Sequence, residues 1–375
     1  MKPGLSVSGA LLVISGILVA SNIYTLIPIY GEMAASLHAD EGAIITAGSL
    51  FSIFYAMGLL TFGPLSDRAG RKKVIVFGML ASALATFAVG LSGSEVSLHF
   101  LRSLQGFVLG SFAPVAFAYS SDLFSGRGRT LLLVLINTGF LLAGILGQLI
   151  SSVLTLHYGW QSVFLFFSVC YLALFILAWI LLPATGKPAV QGSVFSSFAV
   201  LLKNTRLLSC YVIAFTLLFS FAAFYDSLAR QFSGTFQELF LLRAAGMAGA
   251  ILSLFTGKLI ETFGVYRTLI TGLWLGILSM CLLLTGAEML VILSVSFVAS
   301  ISLLIPSIIT LIGSLGGERR AKALSLYSFV LLTGASLASP AAAILPFAGV
   351  LILLLCCFAV DLVIVHRLEK AGRDL

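Results

Sequence analysis

Charge is what this chain lacks. Asp, Glu, Lys and Arg make up 9% of its 375 residues, against about 25% in a soluble globular protein. So few ions cannot cover a water-soluble body of this size, and a cytosolic enzyme is excluded. Cysteine is scarce too. Cys170, Cys210, Cys281, Cys356 and Cys357 lie inside apolar runs at no disulfide or zinc spacing. That excludes a secreted disulfide scaffold and reads as reduced packing residues. The four histidines, His38, His99, His157 and His366, sit at the ends of apolar runs or between them, with no partner spacing for a metal or a hydrolase. No phosphate-cradling glycine loop occurs, so an ion gradient rather than a nucleotide is the expected energy source.

What the chain has is apolar length. Hydrophobic residues are 60% of the sequence and the mean hydropathy is +1.14. A helix crossing the hydrocarbon core needs about 20 mostly apolar residues. Twelve such runs are predicted, at 8–31, 42–64, 73–92, 98–121, 130–153, 162–183, 207–229, 238–258, 266–286, 288–310, 321–340 and 343–365. None alternates as a membrane β-strand does. The first run outlasts the core of a cleaved signal and reads as span 1 of the protein.

The net charge of +7 marks topology, not nucleic acid. With both termini in the cytoplasm, the inward segments hold eighteen of the 21 basic residues, while Glu32, Asp40, Glu41, Glu95 and Glu288 fall outward. This is the positive-inside bias, and only an even number of spans preserves it.

Six spans precede the polar segment 184–206 and six follow it, which predicts two halves, 1–183 and 207–375, joined by a cytoplasmic linker. A weak repeat supports duplication. The stretch Gly63–Lys73 after span 2 aligns with Gly257–Arg267 after span 8 at an offset of 194, matching Gly63 with Gly257, Leu65 with Leu259, Asp67 with Glu261, and Gly70 with Gly264. Two six-helix repeats with a solute site near the bilayer midplane are a transporter plan.

The 63–73 stretch, G-x-L-x-D-R-x-G-R-K-K, resembles the signature loop of the major facilitator superfamily and stands where that family carries it. The resemblance implies an all-α membrane protein with twelve transmembrane helices in two pseudo-symmetric six-helix bundles. It also implies alternating access by rocking the halves, with no enzyme activity and no cofactor. Gly63 and Gly70 permit a tight turn, and Arg68, Arg71, Lys72 and Lys73 suit an anionic lipid surface. In the family, the carboxylate matching Asp67 latches the halves against the eleventh helix, unless Asp67 is only a turn cap. Asp122, at the inner end of span 4, matches the acid that pairs with the basic end of the motif, here Arg71.

Arg102, Gln105, Gly106 and Gly110 share one helical face of span 4. Arg102 resembles the family's buried arginine, linked to proton movement or anionic solutes. Snorkelling to headgroups would also account for a residue so near a span end. Span 5 carries Asn137, Thr138, Gly139, Gly144, Gly147 and Gln148, the glycines of the exporter pattern without its proline. His157–Gln161 resembles the family's Gly-Trp loop, and Tyr158 and Trp160 suit the interfacial aromatic belt.

Few ionisable groups remain inside spans. Asp226 and Arg230 stand four apart on one face of span 7, followed by Glu238 and Arg243 at the start of span 8. They either fray into headgroups or form a buried switch that protonation of Asp226 would open; Asp226 ranks ahead of Glu32 and Glu238. Asp361 reads as snorkelling from span 12. Span 1 has no central acid, although many proton-driven exporters of this family carry one there, so any proton coupling falls to the cluster on spans 7 and 8. Asn22, Tyr55, Tyr119 and Tyr225 add polar lining to an otherwise apolar cavity, which favours amphipathic solutes over sugars. The expected function is proton-coupled export of a small amphipathic compound or drug by a monomer in the cytoplasmic membrane. The partners are lipid, solute and protons, and the alternative is metabolite uptake by symport or facilitated diffusion.

Overall fold

The computed structural model describes residues 3–184, 201, 203–285, 289–317 and 320–373; the middle of the expected linker and Glu288 lie outside them. No strand occurs among the described residues. The chain divides into two compact units, Met1–Gly192 and Ser193–Leu375.

In the first unit, span 1 is the helix Pro3–Ser21, a turn, the short 3₁₀ stretch Ile27–Ile29 and the helix Tyr30–Leu37. Span 2 is Glu41–Ala69, span 3 is Arg71–Gly90, and span 4 runs as Glu95–Leu109 and Phe112–Leu123. Span 5 is Gly126–Tyr158 and span 6 is Gln161–Leu181. In the second unit, span 7 is Thr205–Gln231, span 8 runs as Phe236–Ile251 and Ser253–Phe263, and span 9 is Val265–Leu284. Span 10 is Leu290–Leu315, span 11 is Arg320–Ile344 and span 12 is Phe347–Arg373.

Ten of these are single spans long and apolar enough to cross a bilayer, and span 5 qualifies as a bent pair. The protein is a multi-pass membrane protein. Outward-facing Leu84, Ile180, Trp274 and Ile292 would be a liability in water and are ordinary against lipid.

Span 1 departs from the expected unbroken helix over 8–31. At Ser21 the ladder tightens: the amides of Asn22, Ile23 and Tyr24 bond carbonyls three residues back, at 3.3, 3.2 and 3.0 Å. Pro28, which lacks an amide proton, sits in the 3₁₀ stretch Ile27–Ile29 beyond this break.

Both units pack by one scheme. Span 1 lies on span 5, span 2 on span 4 and span 3 on span 6; in the other unit, 7 lies on 11, 8 on 10 and 9 on 12. Glycine permits the close approaches. A Cβ on Gly106 would collide with the backbone carbonyl of Phe51, and one on Gly249 with that of Val295, the same span pair in each repeat.

Candidate functional site

Within the first unit, the break in span 1 is surrounded by polar side chains from four other spans. Arg102 and Gln105 are fully buried, so the snorkelling alternative does not apply. Arg102 Nη1 donates to Gln105 Oε1 at 2.6 Å, and Nη2 to the backbone carbonyl of Asn22 at 3.3 Å. Gln105 Nε2 donates to Asn22 Oδ1 at 3.0 Å and to Thr86 Oγ1 at 2.9 Å. Asn22 Nδ2 donates to the Tyr171 hydroxyl at 2.5 Å, which donates to the Leu18 carbonyl at 2.8 Å. Where the helix stops, side chains take over its carbonyls: Thr25 Oγ1 also donates to Asn22 O, and Ser151 Oγ to Thr25 O.

The Arg102 guanidinium lies over the Phe51 ring, 4.1 Å from its centroid, with Phe164 at 5.9 Å. Its Nε has no hydrogen-bond partner, and Arg102 has no ion pair among the described residues. The result is a buried positive charge held by neutral oxygens and aromatic faces. Asn22 and Gln105, both singled out in the sequence, join it; the side chain of Asn137 lies outside the described residues. Sequence reasoning missed Thr86, Phe51 and Tyr171. The signal available for Tyr171 was a hydroxyl in an otherwise apolar run.

The 63–73 stretch is helical up to Ala69, not an extended loop. Gly70 alone joins spans 2 and 3, at φ 97°, a left-handed value that favours glycine. Gly264, its partner in the repeat, joins the second helix of span 8 to span 9 at φ 86°. Arg71 Nη1 pairs with Asp122 Oδ2 at 2.5 Å and donates to Ala118 O at 2.6 Å, while Nη2 reaches Asp67 Oδ1 at 3.3 Å. Asp67 is 47% exposed and Asp122 is 29% exposed. The shorter, less exposed pair holds span 3 to span 4. Asp122→Asn is therefore expected to cost about 1 kcal/mol and to lower the thermal midpoint in detergent, with Asp67→Asn costing less. Equal midpoints for both variants and the wild type would remove the tie. Arg68 and Lys72 stand beside it, Arg68 exposed.

In the second unit, span 7 does not fray. Asp226 is fully buried and pairs with Arg230 Nε at 2.6 Å. Arg243 of span 8, also buried, lies within electrostatic reach of Asp226 and of Tyr225. Glu238 is elsewhere: it caps its helix, accepting from the Thr235 amide at 2.7 Å, exposed. Two further expectations are corrected. Asp361 is fully buried rather than snorkelling, because its helix face meets span 7. Trp160 is buried rather than interfacial and donates to Ser36 Oγ at 2.9 Å, while Tyr158 is exposed.

A family model described as Major Facilitator Superfamily matches residues 12–262, more than half of the chain. The chain belongs to this superfamily. It is similar to the gallate transporter of Pseudomonas putida, 34% identical over 43% of this chain and 37% of that protein. It is similar to multidrug resistance protein D of Escherichia coli K12, 31% identical over 40% of this chain and 38% of that protein. A chloramphenicol resistance protein of Pseudomonas aeruginosa is 28% identical over 64% of this chain and 58% of its own length. The chain thus spans less than two thirds of the length of these relatives.

Proposed function

We propose that this superfamily member exports a small, partly apolar organic compound across the cytoplasmic membrane by alternating access of its two halves, in exchange for protons. Both termini face the cytoplasm in this reading, the working unit is one chain, and no cofactor takes part.

The observation that carries the reading is Arg102. An arginine inside a span costs at least about 2.5–3.5 kcal/mol on insertion scales, and such residues are kept where they serve a pathway. Here the charge is backed by Phe51 and Phe164 and aligned by Gln105 and the Asn22 carbonyl. That pairing of fixed positive charge with aromatic faces suits a solute that is flat, apolar and acidic or polarised at one end. Asp226, with Arg230 and Arg243, is the proton-exchanging group of this mechanism: protonation removes the charge that holds Arg230.

Relatives named for drug and chloramphenicol resistance support export. The relative named as a gallate transporter supports a second reading, movement of a metabolite by symport or facilitated diffusion.

The test is flux in proteoliposomes under an imposed pH gradient, across a panel of dyes and aromatic acids. Solute movement opposite to the proton flow is expected, falling at least about tenfold in Asp226→Asn. Unchanged flux in that variant removes Asp226 from the mechanism. Solute and protons moving together would establish uptake in place of export.

A further inference from the structure

Span 12 carries a second buried acid that the 226–243 cluster does not reach. Asp361 has no exposure. Its Oδ1 has no hydrogen-bond partner, and it forms no ion pair among the described residues. Its Oδ2 lies 2.5 Å from Thr216 Oγ1 of span 7, and that same hydroxyl lies 2.7 Å from the carbonyl of Ile213.

Protons can be counted here. Thr216 has one hydroxyl proton, and the Ile213 carbonyl can only accept. Two short oxygen–oxygen contacts at one hydroxyl need two protons if each is a full hydrogen bond. Thr216 supplies one to Ile213, and the other has to come from the carboxyl of Asp361. The bare Oδ1 agrees: a neutral acid leaves a carbonyl oxygen unpaired, a lighter cost than an unpaired carboxylate oxygen in an apolar interior.

No charged group of the neighbouring spans pairs with Asp361 among the described residues. Span 12 packs on spans 7 and 9, and slightly on span 11. Their described titratable groups are Arg206, Cys210, Tyr211, Tyr225, Asp226 and Arg230 on span 7, Tyr266, Arg267 and Cys281 on span 9, and Lys322 and Tyr327 on span 11. None of these hydrogen-bonds or ion-pairs with Asp361. On its own helix, Cys357, one turn back, is within electrostatic reach; Cys356 points outward, and His366, Arg367, Glu369 and Lys370 follow beyond the next turn.

We infer that Asp361 and Thr216 form a proton-binding site inside the second half, in which the Asp361 carboxyl donates to Thr216 in the loaded form. On release, the O–H bond of Asp361 breaks and the proton passes to water. The Thr216 hydroxyl then turns from Ile213 to the carboxylate, so the tie between spans 7 and 12 changes donor. This deepens the proton-coupled reading and rests on it for its role in transport, though not for the site itself.

The experiment is infrared difference spectroscopy of the full chain in liposomes between low and high pH, with no solute present. The wild type is expected to show a protonated-carboxyl stretching band that is absent in Asp361→Asn and displaced in Thr216→Val, which keeps the acid and tests the site should Asp361→Asn fold poorly. An identical band in Asp361→Asn, or no displacement in Thr216→Val, overturns the site. So does a change of the band on adding sodium at fixed pH. In flux assays, Asp361→Asn is expected to lose at least tenfold in pH-driven accumulation while keeping downhill exchange. A wild type with the band but no pH-driven flux would fail the antiport reading and leave the proton site standing. Full pH-driven accumulation in Asp361→Asn would take the site out of transport and leave the antiport reading standing.

Discussion

Replacing Arg102 with methionine is expected to raise the thermal stability of the protein while reducing transport at least thirtyfold. The two effects have separate origins. The guanidinium is buried without an anion, and an apolar side chain of similar length removes its desolvation cost. Against this stand the lost bonds to Gln105 Oε1 and the Asn22 carbonyl, about 1–2 kcal/mol each. Asn22 O still receives Thr25 Oγ1, whereas Gln105 Oε1 is left without that donor while its Nε2 still holds Asn22 and Thr86. A net gain of about 1–2 kcal/mol is expected, within the range seen when buried ions give way to apolar residues. Function loses the fixed charge, and removing one partner of a buried charge contact costs about 2–5 kcal/mol in binding. Lysine is not expected to rescue, since it cannot lie flat on Phe51 while donating to two oxygens. A melting curve in detergent beside a flux assay decides it. Lower stability with retained transport would make Arg102 a structural brace.

Gly106→Leu is expected to prevent assembly of the first half. Any Cβ at this position meets the carbonyl oxygen, carbonyl carbon and Cα of Phe51, all backbone atoms that no rotamer can move. Spans 2 and 4 would have to separate, breaking the stack of Phe51 under Arg102 as well. The cost is about 3 kcal/mol or more, at the upper end for overpacked sites. Gly257→Ala is the control: a Cβ there has nothing within 4 Å, and alanine favours helix. Gel filtration of the two variants should show aggregate for Gly106→Leu and a wild-type profile for Gly257→Ala. A monodisperse Gly106→Leu would mean that the close approach is not required.

Much of this was legible before any coordinates. The shortage of charge and the recurrence of long apolar runs dictate helices in a bilayer, because only such spans satisfy their own backbone there. The Gly70–Gly264 correspondence emerged from residue spacing and reappears as two one-residue joints of like conformation. The common face of Arg102, Gln105, Gly106 and Gly110 follows from helical periodicity alone.

Other features depend on which helices become neighbours, and periodicity is silent on that. Tyr171 is 149 residues from Asn22 and bonds to it because span 6 lies beside span 1. Asp361 lies near the inner end of span 12, which pointed to a headgroup; the face it shares with span 7 buries it instead. The break after Ser21 was hidden by an apolar run of full length. Trp160 was misjudged because its composition suits an interface, while Ser36 offers it an inward partner.

The interruption in span 1 has a mechanical corollary. An ordinary helix carries its own scaffolding, so a neighbour can be altered without unwinding it. The strip from Asn22 to Thr25 is moored instead by Arg102 and Ser151, side chains that belong to other spans. Its shape is leased from them. Whatever draws the arginine away, whether a passing anion or a shift of span 4, takes one of these moorings with it, so occupancy at the charge and the bend of the first crossing are linked.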